Sequence, residues 1–435
     1  MSRPLLAALC LLGSALSFAS ENTAASEGSA PPSLLNPAAQ IESWLATLPP
    51  WLRLGAEIRG RSDDYFGLNA VPGQDDAYYL HRFRLNAQVS PSGWMRLVTQ
   101  IQDSRQGGYG RKPIPYSVAQ PADLRLSYVE FGRGGEEAPL SVRVGRQPLV
   151  FGDMRLVGTS NWGNVGPAYD ALRVSLRPGS VRLDGFASFV VTPCKGFDAP
   201  RRDKMLSGVY ASFDLLGKTR TVDVYLFWKR DRRAASLLTY GVRSAGPLPY
   251  RWDYNAELAL QRGRFAGESV AAWAGHWEIG RKLQCARRPL RLAAEYNYAS
   301  GDKAPRDGHY GSFDAHYPTN IFGTAADFGW RNLHEPRVYF EWQPDRKTRV
   351  QTAYHWFWLA ERGDALYNFA GAVFAFLPHA ADAYVGSAFD LRCIRQISRH
   401  LQVWLGYAQL FPGPYLTQAG RAAIEYPYAM WNFSF

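Results

Sequence analysis

The chain has 435 residues, of which 14% are aromatic, and its formal net charge is +11. After the first twenty residues, no stretch stays apolar for the roughly 18 residues that a membrane helix needs, which excludes a helical membrane protein. The length allows two or three soluble domains or one large barrel. The basic balance favours a polyanionic partner, such as nucleic acid, a lipid surface or an acidic polysaccharide.

The amino-terminal segment predicts secretion. Its apolar run, from Leu5 to Phe18, follows Arg3, is too short to span a membrane, and ends in a small-x-small pattern. We therefore predict a cleaved signal peptide at 1–19, followed by a periplasmic N-terminal leader at 20–50 with a short helical turn within residues 40–48. Secretion removes the cytoplasm from consideration and argues against nucleic acid as the partner.

After the leader, apolar and polar residues alternate with a period of two, which is typical of strands. Phe83 and Leu85, for example, share one face of a segment whose other face carries Arg82 and Arg84. About eighteen such segments can be counted. They start near residues 52, 79, 94, 122, 139, 168, 180, 205, 219, 236, 250, 267, 288, 335, 347, 383, 400 and 425.

The connections between these segments alternate in length. Short turns such as 178–179 and 216–218 alternate with long connections, which we place near residues 62–78, 103–121, 151–167, 192–204, 301–334, 361–382 and 412–424. Bacterial outer-membrane barrels have short periplasmic turns, long extracellular loops and an even number of strands. The sequence therefore predicts an all-β fold, a transmembrane antiparallel β-barrel of about 18 strands over residues 51–435. The loops after residues 231 and 262 are shorter than this rule suggests.

The arginines of the alternating segments decide which face points inward. An arginine facing lipid at mid-membrane costs roughly 2–4 kcal/mol, so the polar face lines the lumen. The inward candidates for a pore or substrate site are Arg59, Arg82, Arg84, Arg125, Arg143, Arg173, Arg291, Arg337 and Arg349. Arginine stays charged and grips carboxylates with two hydrogen bonds, which predicts an anion-selective, water-filled interior. The alternative is that these arginines pair with lumenal acids and fill a sealed barrel.

The last ten residues form an aromatic segment that ends in Phe435. A terminal phenylalanine on such a strand is similar to the signal read by the bacterial barrel-assembly machinery. We therefore expect Phe435 to act as an assembly signal, and we expect that machinery to be a partner during biogenesis.

Two further motifs resemble the alginate export family over about residues 52–435. The first is Arg143-Val-Gly-Arg-Gln-Pro-Leu-Val-Phe-Gly-Asp-Met-Arg-Leu-Val-Gly158, followed by Asn161-Trp-Gly-Asn-Val-Gly166 and Tyr169-Asp170. The second is Tyr298-Ala-Ser-Gly-Asp302, with Phe313-Asp314 and Tyr317-Pro-Thr-Asn320 before Gly329-Trp330. The resemblance implies a monomeric, eighteen-stranded outer-membrane channel whose arginine-rich constriction passes negatively charged polyuronate.

The resemblance also implies a loop that folds toward the pore. The residues it adds to the site are Arg146, Asp153, Arg155, Trp162, Asn164 and Asp170. Arg146 has the parity of the outward residues Val142 and Val144, so it reaches the lumen only if Gly145 introduces a bulge or the strand has already left the lipid. For Asp153, Trp162 and Asp170 the alternative role is scaffolding of the loop.

Four functions compete. The first is passive export of an alginate-like polysaccharide, and the second is a general or anion-selective uptake porin for small acidic solutes, including uronate oligomers. An enzyme is disfavoured because no Gly-x-Ser-x-Gly or His-Glu-x-x-His motif occurs, and a purely structural barrel is disfavoured by the lumenal charges. We expect no catalytic residue, metal or cofactor, unpaired cysteines at 194, 285 and 393, a monomer in the bacterial outer membrane, and contact with membrane lipids and lipopolysaccharide.

Overall fold

The structure is a computed structural model that describes residues 37–108, 117–133, 138–194, 196–217, 219–232, 234–319 and 322–435. The predicted signal peptide and most of the leader lie outside these residues. A helix, α1 (Pro37–Ala46), overlaps the turn expected at 40–48, and a short helix, α2 (Pro414–Gln418), lies near the other end of the chain. Among the described residues, no helix is long and apolar enough to cross a membrane.

Strands make up most of the described chain. In chain order they are β1 (Leu52–Tyr65), β2 (Asp76–Ser92), β3 (Met95–Gly107), β4 (Gln120–Phe131), β5 (Leu140–Gln147), β6 (Tyr169–Leu176), β7 (Val181–Thr192), β8 (Ala199–Leu215), β9 (Arg220–Asp231), β10 (Ala235–Pro247), β11 (Trp252–Phe265), β12 (Glu268–Cys285), β13 (Arg288–Ala299), β14 (His309–Tyr310), β15 (Leu333–Trp342), β16 (Thr348–Trp358), β17 (Leu366–Tyr367), β18 (Val373–Ala375), β19 (Tyr384–Gln396), β20 (Leu401–Pro412) and β21 (Ile424–Ser434). The three shortest, β14, β17 and β18, belong to loops.

The other eighteen strands form one closed antiparallel barrel. Each pairs with its neighbours in sequence, and β1 also pairs with β21, in a register that sets Gly60 against Trp431. Past the end of β21, the backbone N–H and C=O of Phe435 both bond to Ala56, at 3.1 and 3.0 Å. Closure leaves no unpaired strand edge, which hydrocarbon would not tolerate. The predicted fold class and the count of eighteen strands are confirmed.

The two faces of the barrel wall differ as the alternation predicts. Phe83 and Leu85 are exposed on the outside, whereas Arg82 and Arg84 of the same strand are 2% and 4% exposed. Antiparallel pairing puts the outward Val144 beside the outward Leu172, and the inward Arg143 beside the inward Arg173. The apolar surface therefore faces lipid and the guanidinium groups face the interior.

Loops at one end of the barrel are long, and two of them fold into it. We call residues 148–168 the inner loop and residues 300–332 the long loop. Leu149 of the inner loop and Phe313 and Phe328 of the long loop are fully buried in one apolar cluster. By the rule that long loops face the outside, the start of β1 and the end of β21 lie at the periplasmic end of the barrel.

Three of the connections predicted to be long are clearly shorter than expected. The first loop covers only residues 66–75 and the fourth only 193–198, because β1, β2 and β8 continue beyond the segments that alternate clearly. The second loop, predicted at 103–121, covers only residues 108–119, because β3 extends past the alternating segment. Strands of an outer-membrane barrel can extend past the lipid, where the pattern of apolar residues no longer marks them. The loops after β9 and β11 are short, as the sequence suggested.

Gly60, on the lipid-facing side of β1, offers a test of barrel closure. The rings of Tyr79 and Trp431 occupy the space where a side chain at this position would begin. Gly60→Leu is expected to lower the free energy of unfolding by about 1–3 kcal/mol, because the added side chain overpacks the seam between β1 and β21. Denaturant titration of protein refolded in lipid vesicles measures this change.

The matched control is Gly185→Leu. Gly185 also lies in a strand, on the lipid-facing side of β7, and a side chain there meets nothing within 4 Å. Equal destabilisation by the two leucines would show that the packing at the seam is not what Gly60 protects.

Candidate functional site

A cavity of about 730 Å³ lies inside the barrel, between the inner loop, the long loop and the inward faces of the wall strands. Within the described residues, its lining includes six arginines and four acids. The arginines are Arg59, Arg82, Arg155, Arg291, Arg337 and Arg392, and the acids are Glu57, Glu295, Glu341 and Asp390. The charged lining is therefore positive by two, from six minus four.

The tip of the inner loop docks on arginines of β1 and β2. Arg59 donates to the carbonyl oxygens of Asn161 and Gly163, the latter at 3.0 Å, and Arg82 donates to Gly163 at 3.1 Å. Arg84 donates to the Asn161 side-chain oxygen at 3.1 Å. Backbone carbonyls carry only partial charge, so they satisfy the hydrogen-bonding needs of these guanidinium groups without neutralising them.

Few acids accompany this group of arginines. Glu57 pairs with Arg82 at 2.5 Å and lies 3.8 Å from Arg84. Arg61 pairs with Asp63 at 2.8 Å, and Arg125 donates to the amide oxygen of Gln100 at 2.8 Å. We call Arg59, Arg61, Arg82, Arg84 and Arg125 the arginine wall. With Glu57 and Asp63 it keeps three positive charges in excess.

Asn164 holds the same loop from its other side. Its side-chain nitrogen donates to the carbonyls of His81, Arg105 and Val118 at 3.3, 3.2 and 2.9 Å, and its oxygen accepts from Arg59 at 3.1 Å. The asparagine is 2% exposed. These contacts give Asn164 a scaffolding role in the loop.

The start of the inner loop is anchored on the opposite wall through Asp153. This carboxylate accepts from Arg243 at 2.8 Å, from Asn255 at 2.7 Å and from Arg155 at 2.9 Å. Burial would raise the pKa of Asp153, but Arg155 and Arg243 outweigh burial and lower it to about 2. Arg155 also forms an ion pair with Glu257 at 3.0 Å, which ties the same anchor to β11.

The remaining inward arginines of β5, β6, β13 and β15 are paired with acids. Their ion pairs are Arg143 with Glu130 at 2.9 Å, Arg173 with Asp184 at 2.9 Å, Arg291 with Asp253 at 2.5 Å, and Arg337 with Glu295. This part of the wall follows the alternative in which arginines pair with lumenal acids. Glu130 also pairs with Arg96, and Asp184 also pairs with Arg182, so these carboxylates reduce the positive charge of this part of the wall without cancelling all of it.

Nine of the fifteen predicted site residues do not line the cavity, namely Arg84, Arg125, Arg143, Arg146, Asp153, Asn164, Asp170, Arg173 and Arg349. Six of these make the interior contacts described above, and the other three lie elsewhere. Arg146 and Asp170 pair with each other at 2.8 Å on the face of Val144 and Leu172, because the ladder continues through Gly145 without a register shift. Gly145 has a φ of +121° but introduces no bulge, so the condition for an inward Arg146 is not met. Arg349 is exposed near the periplasmic end of β16.

Sequence reasoning missed an aromatic and arginine group beside the arginine wall, where the ring of Trp162 also lies 4.2 Å from Arg61. Arg392 of β19 lies over the rings of Trp162 and Trp404, at 5.3 and 5.1 Å, and donates to the hydroxyl of Tyr428 at 2.8 Å. Trp162 also contacts Tyr428 edge to face, with ring centroids 5.0 Å apart. Alternation along β19 would have placed Arg392 inward, but no sequence pattern brings Trp162 from the inner loop to it.

A chain of buried polar groups also went unpredicted. Arg155 of the inner loop donates to His276 at 2.7 Å, and His276 bonds to the side chain of Asn297. Asn297 in turn donates to Glu335, which bonds to His355 at 2.5 Å. His355 lies 3.2 Å from Asp390, whose carboxylate accepts from the backbone of the long loop at 3.2 Å. This chain links the inner loop to the long loop across five strands, β12, β13, β15, β16 and β19. Among the described residues, no group of three or more His, Cys, Asp or Glu could hold a metal ion.

A closed eighteen-stranded barrel with polar groups inside and an apolar exterior is a porin-like barrel of the outer membrane. The family model described as Alginate export matches residues 50–429. The chain belongs to the alginate export family, whose barrel architecture is that of a transport channel rather than an enzyme. Among curated proteins, a search finds no significant match to the sequence.

Solved porins of Pseudomonas aeruginosa have a similar fold. OpdO has a TM-score of 0.62 at 10% identity, with 88% of this chain and 97% of that chain covered. OpdQ has a TM-score of 0.61 at 10% identity, with 88% and 98% covered. OccK2 (OpdF), solved in complex with glucuronate, has a TM-score of 0.58 at 10% identity, with 88% and 96% covered. At these identities the likeness shows the fold alone.

The contacts of Asn164 predict how the inner loop behaves. Asn164→Ala removes the bonds to three backbone carbonyls, so the loop tip is expected to loosen and single-channel currents to become larger and noisier. Planar-bilayer recordings measure both quantities. The control is Asn86→Ala. Asn86 is an inward residue of β2 whose side chain bonds to Gln100 and not to the inner loop. Wild-type currents from Asn164→Ala would contradict the scaffolding role.

Proposed function

We propose that this protein is an outer-membrane channel that passes an anionic polysaccharide or oligosaccharide, an alginate-like polyuronate, by passive and electrostatically selective diffusion. Residues 1–19 direct its secretion, and the barrel acts as a monomer. The observation that carries the proposal is the excess of positive charge on the cavity lining. A chain of carboxylates is attracted to such a lining over several ångströms even where no single contact is tight.

The pairing inside the barrel suits release as well as binding. A channel must bind its cargo strongly enough to admit it and weakly enough to let it leave. Arg82 is shared between Glu57 and the loop carbonyls, so a uronate carboxylate competes with existing partners. Each site therefore holds the sugar weakly, and several sites in series allow it to move on.

Trp162, Trp404 and Arg392 supply a second element that suits a sugar acid. Indole rings offer flat apolar faces for the C–H groups of a pyranose ring, while a guanidinium beside them can bind the carboxylate of the same sugar. Arg392 forms no ion pair within the described residues, and its Nε donates to the neutral hydroxyl of Tyr428. Arg392 can therefore bind a uronate carboxylate without first releasing an ion-pair partner.

A second candidate is an uptake channel for small acidic solutes. Residues of the inner and long loops pack into one buried apolar cluster, and the cavity beside them has a volume of about 730 Å³. This volume lies within the roughly 300–1,000 Å³ that is typical of sites for small molecules. The structural neighbour OccK2 was solved with glucuronate, a single uronic acid. This observation favours monomers or short oligomers as cargo.

Block of chloride current by uronates separates the two candidates. Polymannuronate or polyguluronate added to wild-type channels in planar bilayers is expected to block the current. Added salt is expected to relieve the block, because the Debye length, about 8 Å at physiological ionic strength, becomes shorter as the salt concentration rises. If small uronates carry current and the polymer leaves the chloride current unchanged, polymer transport is contradicted and the uptake function is supported.

Arg392 provides the variant for this test. Arg392→Gln is expected to raise the polymer concentration for half-block about tenfold or more, because a hydrogen bond to a charged group contributes roughly 1.5–3 kcal/mol. The control is Arg349→Gln, which removes the same charge from an exposed position that does not line the cavity. Equal effects of the two changes would mean that only the overall charge matters.

A further inference from the structure

The barrel wall from β9 to β12 is unlike the rest at its extracellular end. The strands there are joined by residues 232–234 and 266–267, connections of three and two residues. Loops this short cannot fold over the strand ends, whereas the long loop spans thirty-three residues between β13 and β15. On this wall the membrane surface therefore meets the strand ends directly.

Three arginines project outward at these strand ends. Arg230 comes two residues after the outward Trp228 on β9. Arg262 and Arg264 have the parity of the outward Leu258 on β11, so they face the same side. We call Arg230, Arg262 and Arg264 the extracellular arginine patch. Arg230 and Arg264 both lie opposite Ser236 of β10, so their Cα atoms are roughly 10 Å apart across two strand spacings.

The patch carries charge that the protein does not neutralise. All three side chains are exposed, and among the described residues none of them forms an ion pair. Arg230 lies 6.0 Å from the ring of Trp228, and Arg262 donates to the backbone carbonyl of Gln261 at 2.9 Å. Exposed surface arginines are common, but these three share the lipid-facing side of the barrel.

The position of the patch fits the headgroup layer of the membrane. An outward arginine costs roughly 2–4 kcal/mol at the bilayer midplane but only about 0–1 kcal/mol near the interface. The indole of Trp228 and the ring of Tyr240 lie on the same outer face, one and two outward positions nearer the apolar band than Arg230. Aromatic rings mark the membrane interface. The guanidinium groups therefore lie level with lipid headgroups of the outer leaflet.

We propose that the extracellular arginine patch binds the phosphate groups of a phosphorylated glycolipid in the outer leaflet, the chemistry of the lipid A portion of lipopolysaccharide. Arginine binds phosphate with two parallel, charge-assisted hydrogen bonds, and the patch offers three such groups within the reach of one headgroup. Trp228 offers an apolar face for the sugar beside the phosphate. This site lies on the outside of the barrel and does not depend on what the channel transports.

The test uses full-length protein, refolded without lipid in detergent and titrated with diphosphorylated lipid A under native mass spectrometry. The variant Arg230→Gln/Arg262→Gln/Arg264→Gln is expected to raise the Kd for lipid A at least tenfold. Removing the phosphates from lipid A is expected to weaken binding to the wild type as much as the triple substitution weakens binding of diphosphorylated lipid A. Retention of folded-barrel mobility in unheated electrophoresis shows that the variant still folds.

The matched control is Arg281→Gln. Arg281 also faces outward, on β12, and lies 5.3 Å from the ring of Trp252, but at the periplasmic end of the same wall. It is expected to leave lipid A binding unchanged. Wild-type affinity in the triple variant, an equal loss in Arg281→Gln, or equally tight binding of cardiolipin at the patch would each overturn the assignment to a phosphorylated glycolipid.

Discussion

The structure depends on one constraint, which is that a guanidinium group cannot face hydrocarbon in the middle of a membrane. The arginines of β1 and β2 alternate with apolar residues, so turning one set to lipid turns the other set inward. The inside of the barrel must then satisfy a row of charges that no aliphatic core could accept. Everything in the interior follows from how those charges find partners.

The chain uses two kinds of partner. Along β5, β6, β13 and β15 the inward arginines meet carboxylates, and these ion pairs contribute structure while offsetting part of the positive charge. At the arginine wall the partners are mostly the carbonyls and amide of the inner loop, which hold the guanidinium groups in place but leave their charge intact. The same contacts therefore position the loop and preserve the positive charge that faces the cavity.

The sequence predicted the barrel well because two-residue periodicity is a local property of each strand. All eighteen strands were found, and the inward faces followed from parity. Contacts made by the loops were beyond this reasoning: Trp162 meets Arg392 only because a twenty-one-residue loop returns through the barrel. Arg146 shows the limit of the family resemblance. Its position in the motif suggested that it faces the lumen, but the strand pairing keeps it on the same face as Val144, as its parity predicts.

The polar chain from His276 to Asp390 shows the same division. Each of its members lies on an inward face, as alternation predicts. Which of these side chains bond to each other depends on the stagger between strands, and the sequence of a single strand does not determine that stagger. Register between distant strands is set by closure of the whole barrel.

The most direct measurement is the reversal potential of single wild-type channels in a KCl gradient across a planar bilayer. Inward guanidinium groups with an excess of positive charge predict a potential displaced toward that of chloride, and a smaller displacement at high salt. A potential displaced toward that of potassium, or an absence of conductance, would contradict the view that uncompensated arginines govern the interior.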